Sequence, residues 1–450
     1  MTRLEFRSTA ALAIVFATRL LGLFMIYPVF AGYASHLSGA TPLLIGLALG
    51  AYGLTQGLLQ IPYGLLSDRT GRKRVIAGGL LLFAAGSVIA ALATSIGGML
   101  IGRTLQCAGA VGSVVLALVA DLTREEVRTR AMAIVGMTIG LAFAVAIVLG
   151  PALGAIIGVP GIFWLTAGLA FAGIGVTYGL VPTPARLVRH RDAEAVPLLF
   201  ARVIRNRELL RLDLSIFALH LILTASFLAV PPLLARSLQL ATGNDWMVYL
   251  PVLAASIALM VPIILLAEKG DRMKEVFLAT IALLAASQAV LALWGGHAVA
   301  VVAALTAFFT GFNVMEASLP SLVTKIAPAD AKGTATGIFS SAQFLGIFAG
   351  GAAGGLALAA GGAGGVFVLT LAVALAWLAI GAMMPRPGRY SSYLARIGEV
   401  DPNTLAELTG RFTELPGVVE AVIAPEEGVA YLKIDRRRFD ADALARIIGA

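Results

Sequence analysis

The sequence predicts an all-α membrane protein of twelve transmembrane helices in two six-helix repeats, followed by a small α+β cytoplasmic domain. Three observations predict it. Apolar residues make up 59% of the 450, charged residues 13%, and mean hydropathy is +0.92. A typical soluble domain carries about 25% charge, so this chain could not cover a water-soluble surface. Basic residues fall in alternate turns between apolar runs, and the second half of the apolar region repeats landmarks of the first.

A bilayer core takes about 20 apolar residues per helix. Spans are expected near 9–34, 43–67, 75–96, 98–120, 131–157, 160–181, 212–235, 246–267, 276–295, 298–324, 333–359 and 364–384. The first follows Arg3 and Arg7 as a secretory signal would. It is too long, contains Arg19 and shows no clear cleavage site, so a retained helix is expected. The even turns carry Arg69, Arg72, Lys73 and Arg74; Arg124, Arg128 and Arg130; Lys269, Arg272 and Lys274; then Lys325 and Lys332. The stretch 182–211 adds seven arginines, whereas the opposite turns hold only Arg236. The positive-inside rule then makes both termini and the central loop cytoplasmic.

Residues 386–450 hold 9 basic and 10 acidic residues, so the net charge of +8 belongs to the membrane part. That points to anionic lipid rather than nucleic acid as the partner. Cys107 is the only cysteine, which excludes an intramolecular disulfide and a cysteine metal cluster.

Leu65-Leu66-Ser67-Asp68-Arg69 recurs as Leu265-Leu266-Ala267-Glu268-Lys269, and Arg72 as Arg272, at an offset of 200. Uncharged runs at 131–181 and 333–385 are each interrupted by glycines, at Gly158-Val159-Pro160-Gly161 and around Gly361 to Gly365. The expected domains are 1–185, a basic linker 186–211, a second half 212–385 and a tail 386–450. Duplicated channels and membrane enzymes share this pattern, so the loop chemistry has to separate them.

Between helices 2 and 3 lies Gly64-Leu65-Leu66-Ser67-Asp68-Arg69-Thr70-Gly71-Arg72-Lys73-Arg74. Gly64 would let a neighbouring helix approach, Asp68 can accept from a helix N-terminus, and Gly71 makes a tight turn. The cations can pair with acids on adjacent loops such as Asp121. This segment resembles the loop signature of major-facilitator transporters. The resemblance implies a conformational latch of Gly64, Asp68, Arg69, Gly71, Arg72 and Asp121 that stabilises the outward-open state. Arg103-Thr104-Leu105-Gln106-Cys107-Ala108-Gly109 is similar to the family's helix-4 motif, which implies a part for Arg103 in proton coupling, with Cys107 where glycine is usual. Gly150-Pro151-Ala152-Leu153-Gly154 resembles an incomplete antiporter signature, with Ala155 in place of its closing glycine.

Charged groups inside a span normally face a polar interior. Glu316, within Phe312-Asn313-Val314-Met315-Glu316, is a candidate proton exchanger, because burial favours a neutral carboxyl. A permanent ion pair with an arginine is the alternative. His220 and Arg19 are further candidates, with His220 equally readable as a satisfied interior histidine. Tyr27, Gln56, Asn313 and Gln343 are candidate cavity-lining groups, each also able to bond between helices.

In the tail, a helix at 402–414, a hairpin of 418–424 and 429–434 around Pro425-Glu426-Glu427-Gly428, and a helix at 440–448 are expected, with a possible earlier strand at 393–399. Leu415-Pro416-Gly417-Val418 and Tyr431-Leu432-Lys433-Ile434-Asp435 resemble ferredoxin-like heavy-metal-associated domains. The Cys-x-x-Cys loop those domains use is absent, so no metal is expected by that means. With Arg19-Leu20-Leu21-Gly22-Leu23-Phe24-Met25 and Pro28, these segments resemble the YajR-type bacterial transporters over nearly the whole chain. That implies a multi-pass protein of the inner (plasma) membrane that moves a small-molecule substrate against protons. Proton-coupled export of small amphipathic molecules is the leading expectation. A symporter or importer, and a membrane sensor signalling through the tail, are the alternatives. No enzyme and no cofactor are expected, since neither a nucleophile–base pair nor a Walker-type phosphate loop is present.

Overall fold

The computed structural model describes residues 1–183, 199–241, 243–269, 272–328, 331–384, 390–397, 405–425, 428–435 and 438–448. Much of the basic linker (including Arg186, Arg189 and Arg191), the Pro385–Gly388 boundary, Pro402 and the Glu426-Glu427 hairpin tip lie outside them.

Helix α1 (Arg3–Phe24) starts at a capping box. The Thr2 hydroxyl accepts from Glu5 N, and the Glu5 carboxylate accepts from Thr2 N at 2.6 Å. It therefore begins six residues before the apolar run, where polar capping rather than hydropathy sets the end. After a break at Met25-Ile26, α2 (Tyr27–Ala34) completes the first span, with Pro28 in its first turn. Thr41 caps α3 (Pro42–Thr70), and only Gly71 separates it from α4 (Arg72–Leu92). Gly71 has φ 99, ψ 135, a conformation open to glycine and strained for other residues. Then come α5 (Ile96–Ala108) and α6 (Gly112–Asp121), divided at Gly109 within one expected span.

Helix α7 (Glu125–Gly179) has 55 residues, about 80 Å if straight, far more than a core about 30 Å thick. It breaks at Gly158 (φ 70, ψ 169) into two arms. After α8 (Phe200–Ile204) come α9 (Arg207–Ser237), α10 (Trp246–Lys269), α11 (Met273–Trp294) and α12 (Ala298–Ile326). Helix α13 (Lys332–Ala382) breaks likewise, at Gly361-Gly362. Helices α8 and the start of α9 occupy the C-terminal part of the expected linker, because Asn206 caps α9 at Glu208 and Leu209. Among the described residues, ten helical segments are long and apolar enough to cross a membrane, with α1–α2 and α5–α6 each counted as one and the two broken helices unsplit.

The first arm of α13 lies between α3 and α9. Gly46 and Gly53 on α3 stand against the carbonyls of Gly351 and Phe344, so closely that a Cβ at either would collide with backbone. Small residues permit this approach, which replaces side-chain packing by close backbone contact.

The tail is built from β1 (Tyr390–Arg396), α14 (Leu405–Thr413), β2 (Val418–Ala424), β3 (Val429–Asp435) and α15 (Ala441–Ile448). The sheet order is β1-β3-β2, with β3 antiparallel to both neighbours. Strand alternation turns Ala430, Leu432 and Ile434 towards Phe412, Leu415 and Leu444, the tail's own core. The first strand begins three residues before the expected one. Contacts between the tail and the helical body include Lys433 Nζ donating to the Ile326 carbonyl at 3.0 Å and the pair of Arg202 on α8 with Glu420 at 3.0 Å.

Candidate functional site

Glu316, His220 and Gln343 come from three helices, α12, α9 and α13, and meet. Gln343 Nε2 donates to Glu316 Oε1 at 3.1 Å and lies 2.9 Å from His220 Nε2. His220 Nδ1 lies 3.2 Å from the Ile216 carbonyl, and Nε2 is 3.7 Å from Glu316 Oε2. A carbonyl can only accept, so Nδ1 carries the ring proton and Nε2 accepts from the amide. This arrangement fits a neutral imidazole. A proton arriving at Nε2 would displace the amide bond and leave an imidazolium facing the carboxylate. The Glu316 side chain is 35% exposed and that of His220 6%, although Glu316 Oε2 itself is buried against the imidazole.

An aromatic band runs from this cluster into the first half. Phe312 meets the His220 ring edge-on at 5.6 Å and stacks on Phe143 at 5.5 Å. Phe143 meets Phe24 at 5.0 Å, and Phe24 meets Tyr27, which reaches Phe227 on α9.

The two intramembrane arginines lie apart from Glu316 in their bonding. Arg103 Nη1 donates to Gln106 Oε1 at 2.5 Å, and Gln106 Nε2 to Ser87 Oγ at 2.8 Å. Arg19 stands over the Phe83 ring at 5.7 Å. Among the described residues neither guanidinium forms an ion pair, so the expected Glu316–arginine alternative is not what the structure holds; histidine and glutamine take that place.

Of the expected cavity residues, Gln343 belongs to the acid cluster and Tyr27 to the aromatic band. Gln56 donates to the Cys107 carbonyl at 2.9 Å and Asn313 to Ser256 Oγ at 3.0 Å, so both bond between helices.

At the α3–α4 turn, Arg72 gathers the latch. Its guanidinium donates to Asp68 Oδ1 at 2.5 Å, Ser67 Oγ at 2.7 Å and Asp121 Oδ2 at 3.0 Å. The Asp121 carboxylate is buried and that of Asp68 nearly so. Asp68 thus accepts from a guanidinium, the stronger donor. Arg69 is exposed. Gly64 does not mark a close approach: a Cβ there would meet only Ser113 Oγ, at an ordinary 3.8 Å. Glu5 and Arg124 pair nearby at 2.8 Å.

Gly150 faces the Met25 carbonyl at the α1–α2 break, and Gly154 faces Val29, so the Gly-Pro segment of α7 seats against α2. Ala155 packs on Gly243 ahead of α10.

A family model for the Major Facilitator Superfamily matches residues 12–227. The "Inner membrane transport protein YajR" of Escherichia coli (strain K12) is 42% identical over 99% of this chain and 98% of its own length. The chain belongs to the major facilitator superfamily. Another superfamily relative, "Multidrug resistance protein MdtH" of Aeromonas hydrophila, is 27% identical over 75% of this chain and 84% of that protein. A bacterial homologue of the human lysosomal transporter Spinster, solved in an inward-facing and occupied conformation, superimposes with a TM-score of 0.71 at 14% identity. It covers 86% of this chain and 98% of that one and shows the shared fold. As a superfamily member the chain is a membrane transporter rather than an enzyme.

Sequence reasoning missed several residues of this major-facilitator interior. Gln106 and Ser87 support Arg103, and Phe143 joins Phe24 to Phe312. The i, i+3 spacing of Arg103 and Gln106 was a usable signal. Phe143 offered none, being one aromatic within a long uncharged run.

Proposed function

We propose that the chain is a proton-coupled secondary transporter of the inner membrane, exporting small amphipathic molecules by alternating access. Residues 1–185 and 212–385 act as the two rocking halves, with twelve spans when the arms of α7 and α13 are counted separately. The observation that carries the reading is the Glu316–Gln343–His220 cluster, the point where a carboxyl, an imidazole and an interhelical amide meet inside the helical body.

The carboxyl takes up the proton at Oε2, the oxygen that accepts no hydrogen bond among the described residues. Once neutral it no longer demands the Gln343 amide as an ionised acceptor does, and that bond weakens. Gln343 is the chain neighbour of Phe344, whose carbonyl stands against Gly53 across the two halves. Proton binding is thereby tied to the seam that parts or closes. Gly46 and Gly53 lie towards the end of α3 away from Arg72, as does the Ala155–Gly243 contact on α7. With the Arg72 turn cytoplasmic, this closed seam corresponds to an inward-facing state. The Arg72–Asp68–Asp121 cluster, all of it within residues 1–185, serves as the first half's part of the outward-open latch, and Gly150, Pro151 and Gly154 form the hinge seat of α7. Arg19 and Arg103 influence the proton through the field they set in the interior. The tail is a ferredoxin-like domain on the cytoplasmic side.

The test is proton release from proteoliposomes. Adding a transported compound should release protons from the wild type and not from Glu316→Gln, which keeps the shape and fixes the neutral form. Downhill exchange should survive in the variant. Full pH-gradient-driven accumulation by Glu316→Gln would move the proton to another group.

A further inference from the structure

Two buried cations in the first half have donors to spare. Arg19 is 3% exposed and Arg103 fully buried. Among the described residues, Arg19 Nε and Nη2 and Arg103 Nη2 have no hydrogen-bond partner. Arg103 Nε reaches the Ala48 carbonyl only at 3.4 Å. Arg19 stands over the Phe83 ring, which packs with Tyr52 and Cys107; Arg103 lies one turn before Cys107 on α5 and reaches Ala48, one turn before Tyr52 on α3, so the two arginines border one cluster. Gln56 borders it through its bond to the Cys107 carbonyl. A charge in a membrane interior is costly without a counter-charge, and an unmade hydrogen bond there adds to the cost. Two such cations around one spot repel a third and favour an anion.

We infer that Arg19 and Arg103 form an anion subsite, and that the transported molecules are anionic amphiphiles with an aromatic or apolar body. The carboxylate or similar oxyanion of the substrate accepts from the spare guanidinium N–H groups. Its body lies along Tyr27, Phe24 and Phe143, a band whose Phe24 packs against the Tyr52–Phe83–Cys107 cluster and which ends at Phe312 beside His220. Substrate charge and coupling proton then occupy opposite ends of one path, the anion in the first half and Glu316 in the second. Access follows from Tyr52, which meets Phe344 edge-on at 5.5 Å across the seam. Parting α3 from α13 separates those rings and uncovers the arginines. This inference rests on the transporter reading, and it names the substrate class of that interior.

The test uses the full-length purified protein and three probes of one shape: naphthoate, naphthamide and naphthylmethylammonium, titrated at one pH by calorimetry. Naphthoate should bind about tenfold or more tightly than the amide, with the ammonium weakest. Arg19→Gln and Arg103→Gln should each weaken naphthoate by about tenfold and leave naphthamide unchanged. Glu316→Gln should keep the order of the three probes, so failure of the proton reading does not touch this one. Equal or tighter binding of the amide or the ammonium to the unmodified protein overturns the anion subsite, as does the absence of naphthoate binding. That comparison decides the matter even if an arginine variant fails to fold.

Discussion

Gly53 of α3 and Phe344 of α13 touch backbone to backbone, with the Gly53 α-carbon turned to the Phe344 carbonyl so closely that no side chain fits between them. The next residue back along α13 is Gln343, which holds both Glu316 and His220. In the proposed cycle, a change in protonation at this cluster would reach the α3–α13 contact through a single peptide unit.

Gly53→Ala should hold the seam open. The added methyl would strike the Phe344 carbonyl and the Phe348 amide, neither of which can swing aside as a side-chain tip would. Overpacking of this kind costs about 1–3 kcal/mol, enough to move a balanced pair of states by roughly tenfold. The check is thiol labelling of a cysteine placed at Leu43, near the far end of the seam, where Gly355 packs. The native Cys107 is buried, which keeps the background low. An unchanged labelling rate would remove the seam from the transport cycle.

Gln343→Leu should uncouple rather than inactivate. It removes both bonds of the bridge and leaves the Glu316–His220 approach at 3.7 Å. A hydrogen bond to a charged group contributes about 1.5–3 kcal/mol, so gradient-driven accumulation should fall about tenfold while proton uptake continues. Accumulation at the wild-type level would show that the amide does not transmit the change.

Much of this was legible in the sequence, though unevenly. The membrane class follows from a charge content that no soluble surface tolerates, and Gly158 and Gly361 announced the breaks in two uncharged runs. Glu316 and His220 each stood out as polar groups among apolar ones. Their meeting did not, because it is made by the packing of three helices and leaves no local spacing. Gly64 misled for a related reason: glycine permits close approach but does not require it, and here only Ser113 lies opposite. The capping box at Thr2 was readable as Thr-x-x-Glu, and an apolarity count alone passes over it.

Asp121→Asn should disturb the latch more than Asp68→Asn. The Asp121 side chain is fully buried and that of Asp68 is 14% exposed, so water can replace part of the Asp68 carboxylate's role only. Removing one partner of a buried ion pair costs about 3–5 kcal/mol. Thermal unfolding of the two variants in detergent gives the order of stability. Labelling from either membrane side gives the shift in population. Equal effects would mean that Arg72 does not rely on the deeper acid.

Asp245 precedes α10 in the segment where Gly243 packs on Ala155. Burial raises its carboxyl from the usual 3.8 to about 6. A raised acid favours the packed form while neutral: the full benefit holds below about pH 4 and is lost as pH rises through about 6. Asp245→Asn should therefore strengthen closure at neutral pH and flatten its dependence between those two values. Labelling of the α9–α10 turn across that range provides the reading, and a slope retained by the variant would assign the titration elsewhere.

The tail should come away without unfolding the helical body. Its core is its own, and its contacts to the body, among them the Lys433–Ile326 bond, the Arg202–Glu420 pair and the approach of β1 to α12, are few beside that core. A chain ending at Arg389 should insert and run as a single species in gel filtration. Lys433→Met in the full chain, which keeps the stem and loses the donor, should loosen the tail as judged by faster proteolysis between residues 385 and 405. Loss of insertion on truncation would make the tail part of the folding unit.

The break at Gly158 also bears on how the protein is made. From residue 131 to 181 the ribosome delivers two arms with no charge between them and none at their joint. A turn without charge has nothing to hold it at the far surface until both arms are present. The pair should therefore enter the bilayer together as a hairpin, oriented by Arg124, Arg128 and Arg130 before it and by the arginines from Arg186 onward. A charge introduced at Val159 would then burden biogenesis first, and transport only afterwards.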